Sequence, residues 1–151
     1  MTTAQQRGAT AEAGDRSAAR LEMKRTGAEP GHVDGGWWPH STDLVAELPA
    51  LAAALEHRLG PVSRVTYHLD TWAPAERKVR EGDRTVRLEG FRATDPHTIM
   101  VLGADSRRVS LLVVPPEVSE STARAVLLGA ADATTATVAE ILAGNGVPEW
   151  R

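Results

Sequence analysis

The sequence predicts an α+β fold. The expected architecture is an antiparallel sheet of about six short strands with helices packed on one face, in the order β-α-β-β-β-β-β-α. Three observations carry that reading. Leucines at 44, 48, 51, 55 and 59 recur at steps of four and three, an apolar stripe of helical period. After Gly60-Pro61, short segments of alternating polarity follow one another through tight turns, the pattern of sequential antiparallel strands. After Pro115-Pro116, Ser119 stands where a second helix would be capped.

Residues 1–19, rich in Ala, Thr, Gly, Gln and charge, offer little to fill a core and are expected to form a disordered tail. In "RLEMK", Leu21 and Met23 alternate with Glu22 and Lys24, a short half-buried strand. The stretch from Gly27 to Pro39 reads as a glycine- and proline-rich loop. The leucine-striped helix then starts behind Ser41, a good N-cap, with Asp43 at its positive end. Pro49 removes one helical N–H, so a kink or two abutting helices are expected there. In "VSRVTYHLD", Val65, Tyr67 and Leu69 share one face, and Arg64, Thr66, His68 and Asp70 the other. "RKVREGDRTVRLE" reads as a hairpin around Glu81-Gly82-Asp83 with Val79, Val86 and Leu88 inward. A second hairpin turns at Gly103 to Ser106. Its strands, Thr98–Leu102 and Val109–Val114, are apolar on both faces and therefore central. A helix near 120–131 follows, then a turn or helix capped by Asp132 that carries Val138, Ile141 and Leu142. One domain over 20–143 and a tail over 144–151 complete the plan.

A chain of 151 residues can bury roughly two thirds of its unfolded surface. The net charge of −3 does not favour nucleic acid or an anionic membrane as partner. The absence of cysteine excludes disulfides, thiol catalysis and cysteine-based metal centres. No run of 18 apolar residues is present, so no spanning helix is expected, and the first residues lack the apolar core of a secretory signal. A cytoplasmic protein is the resulting expectation. The motifs GxSxG, GxxxxGK[ST], HExxH and GxGxxG are all missing.

Three pairs place histidine and aspartate two residues apart: His32/Asp34, His68/Asp70 and Asp95/His97. In extended chain such residues project to one side, where a carboxylate can orient an imidazole as general base. The bland readings are a solvated strand face for the second pair and local backbone capping at a turn for the third. "HVDGGWWP" and "HLDTWAP" both run His, apolar, Asp, spacer, Trp, Pro, placing Trp37, Trp38 and Trp72 close behind acidic residues. These rings either plug the end of the sheet or wall a cleft. Residues 76–92 hold six basic and four acidic side chains, read as a charged outer sheet face that deters edge pairing, with anion or acidic-partner binding as the alternative.

At "GHVDGGWWPHSTDLVAELPAL", "HLDTWAP", "GFRATDPHTIMVLG" and "LLVVPPE" the chain resembles a family of small actinobacterial proteins, a domain-of-unknown-function group with the signature GHVDGxWWPxSxDL. The resemblance covers most of residues 20–130. It implies a shared pattern that includes Gly31, Asp34, Gly35, Trp37, Trp38, Pro39, Asp43, Asp70, Trp72, Asp95 and His97, and it implies no activity. The family pattern carries Asn at position 68, so His68 is a departure that weakens a three-pair metal site. The candidate binding cluster is accordingly Asp34, Trp37, Trp38, Asp70, Trp72, Asp95 and His97, with no metal and no cofactor. The leading expectation is a non-enzymatic module that binds a small molecule or another protein through the Gly/Trp loop. The alternative is an acid/base or metal-assisted hydrolase on Asp34, Asp70, Asp95 and His97. Apolar residues on both faces of the last hairpin leave room for a homodimer or a further helix on the far face.

Overall fold

The computed structural model describes residues 18–25, 33–93, 95–132 and 136–147. Its elements are β1 (Arg20–Met23), β2 (Gly35–Trp38), α1 (Leu44–Leu59), β3 (Arg64–His68), β4 (Lys78–Glu81), β5 (Arg84–Phe91), β6 (Thr98–Leu102), β7 (Arg108–Val113), α2 (Glu120–Ala131) and α3 (Val138–Gly144). The expected tail over 1–19 lies, as far as residue 17, outside the described residues. At the other end packing continues past residue 143, because Val147 is buried against α2 and α3.

The α+β class holds, and three features differ from expectation. The sheet has seven strands, in the order β1-β2-β7-β6-β3-β5-β4. The added strand is β2, whose GGWW lies inside the stretch read as a loop. Glycine depresses strand propensity, and here it serves close packing instead. The sheet is also mixed rather than antiparallel: β2 runs parallel to β7, and β3 parallel to β5. The first arises because α1 carries the chain away from β2 before β3 begins. The second arises because β4 takes the outer position and β5 folds back beside β3.

The third difference is that helices cover both faces. On one face the stripe Leu44, Leu48, Leu51, Leu55 and Leu59 is fully buried against Val65, Val86, Ile99, Val101 and Leu111. Each such leucine contributes about 1.5–3 kcal/mol of transfer free energy. On the other face α2 and α3 pack Ala123, Val126, Leu127, Val138 and Ile141 onto Leu112 and Val114. Strand β7 thus alternates between two cores, Leu111 and Val113 to one and Leu112 and Val114 to the other. Its apolar character on both faces follows from burial on both sides.

The helix ends are capped by local chemistry. The cap of α1 is Asp43, which accepts from the Ala46 N–H at 3.2 Å; the expected cap, Ser41, lies two residues too early. The Ser41 hydroxyl instead donates to Glu47 at 2.9 Å, and Glu47 also accepts from the His40 N–H at 3.0 Å, tying the entry loop to the first helical turn. Pro49 lies within one continuous helix, so the helix is not split. Ser119 caps α2 as expected. Thr137, rather than Asp132, caps α3, in a reciprocal box with Glu140. The hairpin between β4 and β5 turns on Gly82 at φ 66°, the positive angle that the first position of a type II′ turn requires.

Gly36 shows how tightly β2 is held. A Cβ there would stand 3.0 Å from Leu127 and 3.1 Å from Ala130 of α2. Gly36→Val should therefore lower stability by about 1–3 kcal/mol through overpacking. Urea denaturation followed by circular dichroism checks this; an unchanged midpoint would show that α2 moves aside freely.

Candidate functional site

Consecutive residues of a strand point to opposite faces, and this separates the tryptophan pair. Trp37 turns into the α1 core, where it is 1 % exposed. It stacks there on Trp72, with ring centroids 5.5 Å apart and planes 20° from parallel. The Trp72 loop is tied down at both sides. The Ala73 N–H donates to the Thr42 carbonyl at 2.9 Å, and the Thr71 hydroxyl donates to the Pro96 carbonyl at 3.0 Å. Among the described residues the buried Trp72 Nε1–H has no hydrogen-bond partner, a cost that the stack and its burial outweigh. Trp37 and Trp72 are therefore a core plug.

The aspartates serve the backbone. Asp34 starts β2 and pairs twice with Ser110: its N–H donates to the Ser110 carbonyl at 2.7 Å, and its Oδ2 accepts from the Ser110 N–H at 2.8 Å. Asp95 Oδ1 accepts from the His97 N–H at 2.8 Å, an Asx turn into β6. Asp70 is exposed, 3.7 Å from Arg92, and its N–H donates to His68 Nδ1 at 3.1 Å. His97 is buried, and its carbonyl accepts from the Val113 N–H at 2.7 Å.

These contacts locate the seven residues. Trp37, Trp38, Asp70, Trp72, Asp95 and His97 gather toward one end of the sheet, near Val113. Asp34 sits beside Ser110, three residues back along β7 and so about 10 Å away. The four groups required for a hydrolytic centre thus do not meet in one cleft. Among the described residues no group of three or more His, Asp or Glu is placed to hold a metal ion. His32, of the first His/Asp pair, lies outside the described residues.

Trp38 is the exception among the candidates. It faces the α2 side, half-buried, and its Nε1–H donates to the Pro115 carbonyl at 3.2 Å. The Arg20 guanidinium lies over its ring, 3.6 Å from the centroid. Arg20 Nε donates to the Trp38 carbonyl at 3.0 Å, and a second guanidinium nitrogen donates to the Pro39 carbonyl at 2.9 Å. Burial pushes the Arg20 pKa below its ordinary value while Glu47 and Glu120 draw it back up, and arginine stays a cation throughout. Around this pair opens a cleft of about 560 Å³ between β1 and α2, whose polar lining is Arg20, Glu22, His40, Glu120 and Arg124. Arg124 is held by Glu120 at 2.7 Å.

Linear spacing gave no access to this cleft. Arg20 and Glu22 fall in a segment that reads only as a short half-buried strand, and nothing in the order of residues links position 20 to positions 38 and 120. The cleft exists because β1 pairs with β2, matching Arg20 with Trp38, and because α2 lies across both strands.

Truncation separates the two rings. Trp37→Ala should cost about 3–5 kcal/mol of folding stability, the range for a large aromatic in a core. Trp38→Ala should cost clearly less, since part of its ring already faces water. Chemical denaturation of the two variants measures both; equal losses would mean that Trp38 is as structural as Trp37.

The chain belongs to a family of unknown function, DUF5994, whose match spans residues 20–130. No curated protein and no solved structure matches it.

Proposed function

From membership of a family without an assigned activity, we propose that this protein is a ligand-binding module, without a chemical step of its own, and that the cleft over Trp38 is its site. One observation carries the reading: a cation is held in advance of any ligand. Two of the five guanidinium N–H donors of Arg20 are spent on the Trp38 and Pro39 carbonyls, and the ring fixes its plane. A guanidinium placed this way loses little freedom when it meets a carboxylate, so its remaining donors favour a small anionic ligand. Arg124 adds a second cation, while Glu22 and Glu120 accept from any donor on the ligand. A free amino acid or small dicarboxylate matches that mixture of charges. The Gly/Trp loop contributes through Trp38 and Pro39, and Asp70, Asp95 and His97 support the sheet end behind it.

A ligand present at about a hundred times its dissociation constant stabilises the folded state by about 2.7 kcal/mol. A thermal-shift panel of free amino acids and small dicarboxylates should therefore contain members that raise the midpoint by several degrees. The same members should change Trp38 fluorescence. Arg20→Gln should abolish both responses. A panel in which no anionic member shifts the wild-type protein, or in which the variant responds equally, would count against the proposal.

A further inference from the structure

Helices α2 and α3 leave part of one sheet face open. These helices lie over β1, β2 and β7, so among the described residues the same face of β6, β3, β5 and β4 has no layer above it. The register aligns one row across five strands there: Lys78 opposite Arg87, Arg87 opposite Arg64, Arg64 opposite Leu102, and Leu102 opposite Arg108. Four of the five positions are cationic. The open-face positions of β3 to β7 carry a single acid, Glu89, which stands 3.7 Å from Arg64. Like charges directly opposed across strands destabilise a sheet. The row therefore works against the isolated fold, in a chain whose net charge is −3.

We infer that this row is a docking surface for an acidic, extended segment of a partner protein. At about 4.8 Å between strands the row spans roughly 19 Å, which an extended segment of about six residues covers. Alternate residues of such a segment point to one side about 7 Å apart, so three or four carboxylates can address the four cations. Edge protection explains Lys78 and Arg80 on the outermost strand. It does not explain Arg87 and Arg64, which belong to strands paired on both sides. Nucleic acid fits less well. The aromatic rings on the open face of these strands are Phe91 and, opposite it, His68, each four residues from the row along its strand, so bases would have no stacking platform beside the phosphates. A long polyanion would also meet the unfavourable net charge. The surface is separate from the Trp38 cleft and does not depend on it.

The probe is a fluorescein-labelled octaglutamate peptide, followed by anisotropy at low ionic strength and again near physiological salt, with an octathymidylate strand in parallel. Wild-type protein should bind the peptide more tightly than the oligonucleotide, with affinity falling as salt rises. Lys78→Gln/Arg87→Gln/Arg108→Gln, which keeps the Arg64–Glu89 pair, should weaken peptide binding about tenfold. Arg25→Gln/Arg84→Gln/Arg92→Gln makes the same change in charge away from the row and should retain binding. The thermal midpoint of the row variant should stay the same or rise, because opposed charges have been removed. The inference is overturned if wild-type protein does not bind the peptide at low salt, if the two triple variants lose affinity equally, or if octathymidylate binds more tightly. A lowered midpoint of the row variant would likewise overturn it, by making the row structural.

Discussion

Gly36 has no side chain, and the second half of the molecule is built on that absence. Helix α2 approaches β2 closely enough that Leu127 and Ala130 occupy the space a Cβ would need. At Gly35 a Cβ would run into the Glu22 carbonyl of β1. The glycine pair therefore lets a strand be covered by a helix on one face and joined by an edge strand at one side, with Trp37 filling the other face. Larger residues would hold α2 off the sheet, uncover Leu112 and Val114, and remove the wall of the cleft that Trp38 and Arg20 share.

That contact also divides the sheet unequally. One face is covered from β4 to β7 by α1 and the loops beside it, and its positions are mostly apolar, with Glu81 and Arg84 only at the β4–β5 hairpin end. Among the described residues the other is covered only where α2 and α3 reach, and its remaining strands carry arginine, lysine, threonine and methionine. The molecule thus has two surfaces with different physics. The Trp38 cleft is small, concave and mixed in charge. The cationic row is broad, flat and of one sign. The ligand proposed for the first is a small molecule; the partner proposed for the second carries its charges spaced along a chain.

The helices were legible because each is defined by its own residues. The leucine stripe of α1 gave its buried face correctly, and Ser119 marked the start of α2. Strand polarity was legible for the same reason: Val65, Tyr67, Val79, Val86 and Leu88 all face the core they were assigned to. The apolar run of β7 correctly implied burial on both sides, and the cover is α2 and α3, the further helix layer that stood beside a homodimer as an alternative. Strand β2 escaped notice because its two glycines carry the signal of a loop. Parallel pairing is not legible because neighbours in sequence need not be neighbours in space, and α1 and β4 both separate the two.

The seven candidate residues show the same division. Sequence alone picked out Trp37, Trp38, Trp72 and the aspartates as unusual, and all have defined roles in the structure. It could not assign them to sides. Trp37 and Trp38 diverge because a strand alternates, and only the assignment of 35–38 to a strand makes that alternation apply. Local composition thus determined which face of α1 is buried, where α2 starts, which strand faces are apolar, and that cysteine chemistry is excluded. Tertiary structure alone decided which strands adjoin, that Arg20 lies on Trp38, and that Lys78, Arg87, Arg64 and Arg108 share a row. The physical reason is that helical period and alternation are properties of consecutive residues. Sheet order and register are set by which distant segments bury each other, and no local pattern encodes that choice.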